Sequence, residues 1–125
     1  MTPEQIKTVL EMSEEELELW LIKNEIVDGA ILQCKGGGEK PCGMVESLEE
    51  LAFRLRDEAE KKSPIAWHSG LFDVYMIVKG PGHRIYNWRW ASSEAKPIHW
   101  ILAAMQAKEY RSFQRLNIPI ILKRG

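Results

Sequence analysis

Apolar residues recur every three or four positions in three stretches of the chain, at residues 14–27, 48–62 and 97–110. This spacing places the apolar side chains along one side of a helix, so it predicts three amphipathic helices. A shorter helix is expected before them, because Thr2 and Pro3 are residue types that begin helices.

Three of the helix starts have the sequence of a capping box, in which Ser or Thr is followed three residues later by Glu or Gln. The hydroxyl accepts a hydrogen bond from the backbone of the later residue, and the later side chain accepts one in return. Glu50 also stands four residues before Arg54, a spacing at which the two charges can pair on a helix surface. The three boxes are Thr2 with Gln5, Ser13 with Glu16, and Ser47 with Glu50.

The spacing changes to alternation from Leu71 to Ala91, which predicts two antiparallel strands joined by a turn at residues 80–82. The second strand divides its residues between two faces. Arg84, Tyr86, Trp88 and Trp90 share one face, and Ile85, Asn87, Arg89 and Ala91 share the other. Shorter strands are expected at 30–34 and 117–122.

These elements predict one α+β domain over residues 1–125, a small antiparallel β-sheet covered by helices in the manner of an α/β/α sandwich. A chain of this length can bury a core without a metal or disulfide. The segment KGGGEKPCG at 35–43 has three consecutive glycines and a proline, which predicts a flexible loop.

The charges of the chain nearly balance, with 17 Lys and Arg against 18 Asp and Glu. Proteins dedicated to duplex nucleic acid usually carry a basic excess, so nucleic acid is not favoured as a partner. The first ten residues lack the apolar core of a signal peptide, and no run of about 18 apolar residues is present. We therefore expect a cytoplasmic protein without a membrane segment, in which Cys34 and Cys42 are free thiols.

Two stretches resemble a known family. LEMSEEELELWLIKNEIV at Leu10–Val27 is similar to the opening helix of the phage ABA sandwich domains, and ASSEAKPIHWILAAMQA at Ala91–Ala107 is similar to their closing helix. These domains are small phage-encoded proteins of unknown function. The resemblance implies an α/β/α sandwich and a phage or prophage origin, and it transfers no catalytic residues.

No catalytic or metal-binding motif is recognisable. The two cysteines are eight residues apart, wider than the close pairs of structural zinc sites. The glycine-rich segment lacks the order of a phosphate-binding loop, and Ser69 beside His68 lacks a nucleophile elbow. We therefore predict a non-enzymatic protein with no cofactor and no metal site.

The aromatic strand is the best candidate for binding. Its residues Arg84, Tyr86, Trp88, Arg89 and Trp90 could form a stacking surface for nucleic acid or nucleotides, or an interface for a protein. The rings could equally fill the core beneath the helices. The first hypothesis is an accessory or interaction protein that acts through protein contacts, including self-association. The alternative is nucleic-acid or nucleotide binding on the aromatic and basic hairpin face.

Overall fold

A computed structural model describes residues 1–62 and 73–114. The described part is a mixed α+β fold with four helices and two antiparallel two-stranded sheets, which confirms the predicted fold class. The predicted strand at 117–122, the first two residues of the predicted strand from Leu71, and the pair His68–Ser69 lie outside the described residues. In chain order the elements are α1 (Pro3–Leu10), α2 (Glu14–Lys23), β1 (Gly29–Gln33), β2 (Glu39–Met44), α3 (Leu48–Lys62), β3 (Asp73–Lys79), β4 (Ile85–Ala91) and α4 (Pro97–Gln114).

The predicted capping boxes are all formed. At α2, the backbone N–H of Glu16 donates to Ser13 Oγ over 3.2 Å, and the Glu16 carboxylate accepts from the Ser13 N–H over 3.0 Å. The hydrogen bond from the Ser13 backbone N–H lowers the pKa of the Glu16 carboxyl group. Equivalent reciprocal bonds begin α1 and α3. Helix α2 ends at Lys23, four residues before the predicted end, because Glu25 has a positive φ of 57°.

The segment predicted as a loop at 35–43 is mostly strand. Strand β2 begins at Glu39 and pairs with β1, so only a short turn connects the two strands. Gly36 and Gly37 make this turn with φ values of 96° and 94°, a region that favours glycine. The sequence pattern did not predict this strand, because glycine and proline are typical of loops. Helix α2 packs against the hairpin that β1 and β2 form.

Helix α4 lies at the centre of the described fold, between α3 on one side and β3 on the other. Alanines along α4 are buried, which allows its neighbours to approach closely. Helices α1 and α2 complete the core with Ile6, Val9, Leu17 and Leu21. The most deeply buried large side chains are Ile6, Leu21, Leu51, Met76, Ile101, Leu102 and Val74.

Candidate protein-binding site

The three aromatic residues of β4 lie on the core side of the hairpin. Each is opposite a buried residue of β3, because the register pairs Val74 with Trp90, Met76 with Trp88, and Val78 with Tyr86. All three aromatic side chains are half-buried. The two tryptophans pack against the hydrophobic core, so one side of each contributes to packing. The binding prediction for this strand therefore concerns the exposed halves of these rings.

Trp90 also stacks on α4. Its indole lies parallel to the imidazole of His99, with 4.1 Å between ring centroids and 6° between planes. His99 Nδ1 accepts a hydrogen bond of 3.0 Å from the backbone N–H of Lys96, just before the helix begins. Burial, and secondarily the charge of Lys96, lower the pKa of His99, which favours a neutral ring. One face of Trp90 is therefore already occupied.

The two predicted arginines are on opposite faces of the hairpin. Arg84 lies over Tyr86, with 5.8 Å from guanidinium carbon to ring centroid. Arg89 lies over Tyr75 at the same distance, on the face away from Trp88 and Trp90. The structure thus brings Arg84, the tyrosine and the two tryptophans of β4 together, and it places Arg89 apart from them.

A groove lies between α3 and the beginning of α4. It has a volume of about 370 Å³. Phe53 stands at its edge with 71% of its surface exposed. The guanidinium of Arg56 lies 5.0 Å from the ring centroid of Trp100, a cation–π contact that holds both side chains at the groove. Its lining residues are Glu49, Ala52, Phe53, Arg56, Ala95, Pro97 and Trp100.

Sequence reasoning missed this groove because it assigned the residues to separate helices. The buried side of α3 contains Leu51, Leu55 and Ala59, and Phe53 lies off that side. A phenylalanine on the polar side of an amphipathic helix was the available signal. The contribution of Trp100 could not be seen from the sequence, since it depends on how α4 packs against α3.

A second recess lies where α1 and α2 meet α4, with a volume of about 540 Å³. Several of its polar groups are already used in the structure. Thr2 and Gln5 form a capping box, and the Asn24 side chain donates to the Trp20 carbonyl over 2.8 Å. This recess is therefore the weaker candidate for binding.

Arg54 connects α3 to the preceding turn. It donates two bonds from Nε and one from Nη2 to the Glu46 carboxylate, at 2.8–3.0 Å, and one of 2.7 Å from Nη1 to Glu58. These bonds lower the pKa of Glu46 and raise that of Arg54. The predicted pair of Arg54 with Glu50 does not form, because Glu50 accepts from the Ser47 N–H.

Cys34 and Cys42 are free thiols, half-buried and exposed respectively. Cys42 lies between Gly43, which pairs with Ala30, and Pro41, which pairs with Ile31, at an irregularity in the pairing of β1 and β2. Three strand residues separate that point from Cys34, about 10 Å at the usual rise. This exceeds the roughly 7 Å limit between Cα atoms for a disulfide. In the part of the chain that the structure describes, no three His, Cys, Asp or Glu side chains form a group able to hold a metal.

Across residues 1–62 and 73–114, every helix is too short or too polar to cross a membrane.

Comparison with known proteins found no matching family model, no matching curated protein and no matching solved structure. The resemblance to phage ABA sandwich domains therefore stays a prediction.

Proposed function

We propose that this chain is a non-enzymatic interaction protein that binds a polypeptide in the groove between α3 and α4. The observation that carries this proposal is the exposed Phe53, which lines the same groove as the Arg56–Trp100 contact. Exposure of a large aromatic side chain next to an apolar groove is unfavourable in water, and binding removes it. Trp, Phe and Arg are also enriched at protein interfaces, and Trp and Arg dominate their energetic centres.

The lining of the groove defines what it can accept. The groove is lined by the short apolar side chains of Ala52, Ala95 and Pro97 and by the aromatic ring of Trp100. Glu49 and Arg56 supply one charge of each sign. We therefore expect the partner to insert an aromatic or large aliphatic side chain, flanked by charged residues of both signs.

A peptide library selected against the wild-type protein tests the proposal. Selected peptides should share an apolar anchor, and Phe53→Ser should weaken their binding at least about tenfold, as for a residue central to an interface. Leu32→Ser is the matched control, because Leu32 is also an exposed apolar residue, at 54%, but lies on the β1–β2 hairpin. Equal binding by wild type and Phe53→Ser would contradict the proposal.

The alternative function is nucleic-acid or nucleotide binding on the hairpin. Arg84 over the half-buried Tyr86 is the observation in its favour, since arginine and aromatic side chains together are common elements of sites where bases stack. Oligonucleotides should then quench tryptophan fluorescence in a salt-dependent manner, and Arg84→Ala should reduce the quenching. Arg89→Ala, on the opposite face, provides the comparison. Absence of quenching at low salt would contradict this alternative.

The phage or prophage origin and the cytoplasmic location belong to the same proposal. The first is supported by the two stretches that resemble phage ABA sandwich domains, and the second stays an expectation from the sequence.

A further inference from the structure

We infer that the partner of the α3–α4 groove is a second copy of this chain, bound through an antiparallel α3–α3 pair about a two-fold axis. This inference rests on the proposed function of the groove. In the dimer, Phe53 of each copy inserts into the groove of the other. Its support is the self-complementary arrangement of charge along the exposed side of α3, on either side of Phe53.

The residues concerned share one side of α3. At about 100° per residue, Glu49, Phe53 and Arg56 fall within roughly 60° of one another around the helix axis. Phe53 is exposed, and both charged residues line the same groove. A second helix laid along this side would therefore meet all three side chains.

The charges are symmetric about a point midway between Ala52 and Phe53. Glu49 and Arg56 each lie three and a half residues from that point, about 5 Å along the helix. A two-fold axis there places Glu49 of one copy beside Arg56 of the other, and it does so twice. A parallel pair in register would instead bring like charges together, which disfavours that arrangement.

The same axis brings Phe53 of one copy to the groove of the other. Phe53 lies half a residue from the axis, so its ring meets the second helix at the level of position 52, where Ala52, Arg56 and Trp100 line the groove. Trp100 is half-buried, so the inserted ring covers part of its exposed surface. Ala52 lies on the buried side of α3 and forms the floor of the groove.

Both charged residues reach solvent at the groove, where Arg56 also contacts Trp100. Within the described residues Glu49 takes part in no ion pair. Arg56 has a long contact of 3.5 Å to Glu60 Oε1, at the limit of a hydrogen bond, with both side chains solvent-accessible. The net charge of −1 adds little repulsion between copies.

The expected dimer is weak. One helix face and one groove from each copy bury less than about 1,200 Å² in total, the range of transient complexes. We expect a Kd on the order of 10–100 μM, so the molecule should change between monomer and dimer over an accessible concentration range.

Sedimentation velocity of wild type, Glu49→Lys and Arg56→Glu tests the inference. Wild type should approach twice the monomer mass with increasing concentration. Each variant alone should associate at least about tenfold more weakly, because both of its pairs become like-charged. A 1:1 mixture of the two variants should associate again. In the mixed dimer the introduced lysine faces the introduced glutamate, and the unchanged Arg56 of one copy faces the unchanged Glu49 of the other. Circular dichroism should show that each variant retains its helices.

Two results would overturn the dimer. One is wild type that stays monomeric up to about 1 mM, well above the expected Kd. The other is single variants that associate as strongly as wild type. If either result is found and selected peptides still bind wild type but not Phe53→Ser, the groove binds another protein and only the dimer is wrong. If Phe53→Ser also leaves peptide binding unchanged, the groove function itself is wrong.

Discussion

The indole ring of Trp90 lies parallel to the imidazole of His99, with 4.1 Å between their centroids. This stack joins β4 to the first turn of α4, and the Lys96 N–H donates to His99 Nδ1. The stack explains why Trp90, which the sequence pattern places on a candidate binding surface, partly contributes to core packing. The same contact makes the junction sensitive to the charge of one histidine.

We expect the free energy of unfolding to fall as pH falls below 6.5, in part through His99. The folded pKa of His99 lies below its ordinary value of 6.5, because burial and then Lys96 disfavour the imidazolium. The unfolded chain therefore binds more protons than the folded chain in this range, which lowers stability. The contribution of neutral His99 to the free energy of unfolding is complete above pH 6.5 and is lost as the pH falls through the folded pKa of His99. Protonation also removes the acceptor for the Lys96 N–H.

Urea denaturation of wild type, His99→Gln and His83→Gln between about pH 5 and 7.5 measures this effect, above the ordinary titration range of carboxylates. His99→Gln should have a smaller pH dependence than wild type. His83→Gln is the matched control, because His83 is exposed in the turn before β4. Identical pH dependence in all three proteins would contradict the assignment to His99.

Replacement of Arg54 by Lys should destabilise the protein, because a lysine cannot make the bidentate contact to Glu46. We expect a loss of about 1 kcal/mol, since the ion pairs of Arg54 with Glu46 and Glu58 are partly exposed. The guanidinium contacts Glu46 and Glu58 together, which ties the turn before α3 to the helix. Thermal or urea denaturation measures the change. Lys61→Met, which removes an exposed pair with Asp57, should leave stability unchanged. Equal effects of the two substitutions would contradict a structural role for the Arg54 cluster.

Replacement of Gly80 by Ala should destabilise the hairpin by about 1–3 kcal/mol, the usual cost of overpacking. A Cβ at this position would lie 2.6 Å from Tyr86 Cε2 and 3.2 Å from Pro3 Cγ. Gly38→Ala is the control, because its nearest neighbour would be 4.0 Å away. The effect of Gly80→Ala should shrink in a Tyr86→Ser background. An unchanged effect there would show that the ring is not its cause.

The two thiols should react separately with a thiol reagent. Cys42 is exposed and Cys34 half-buried, so Cys42 should react first. Mild oxidation should produce no intramolecular disulfide, because the strand register holds the cysteines too far apart. Peptide mapping by mass spectrometry measures both outcomes. A Cys34–Cys42 peptide formed under native conditions would contradict the register of the β1–β2 hairpin.

Much of the local structure was predictable because it depends on residues close in sequence. The capping boxes at Thr2, Ser13 and Ser47 require only residues three positions apart. The division of β4 into two faces follows from alternation, and the structure places Trp88 and Arg89 on opposite sides as predicted. Strand β2 escaped prediction because Pro41 and the neighbouring glycines contradict local strand preference, whereas pairing with β1 overrides it.

The sequence by itself determined where helices begin, which residues share a face, and that the chain has an α+β fold. These properties depend on periodicity and on short-range hydrogen bonds. Only the tertiary structure decided that one face of Trp90 is covered by His99, that Arg54 pairs with Glu46 and not Glu50, and that Phe53 and Trp100 line the same groove. These relationships depend on the packing of α4 against β3 and α3, which joins residues far apart in the chain.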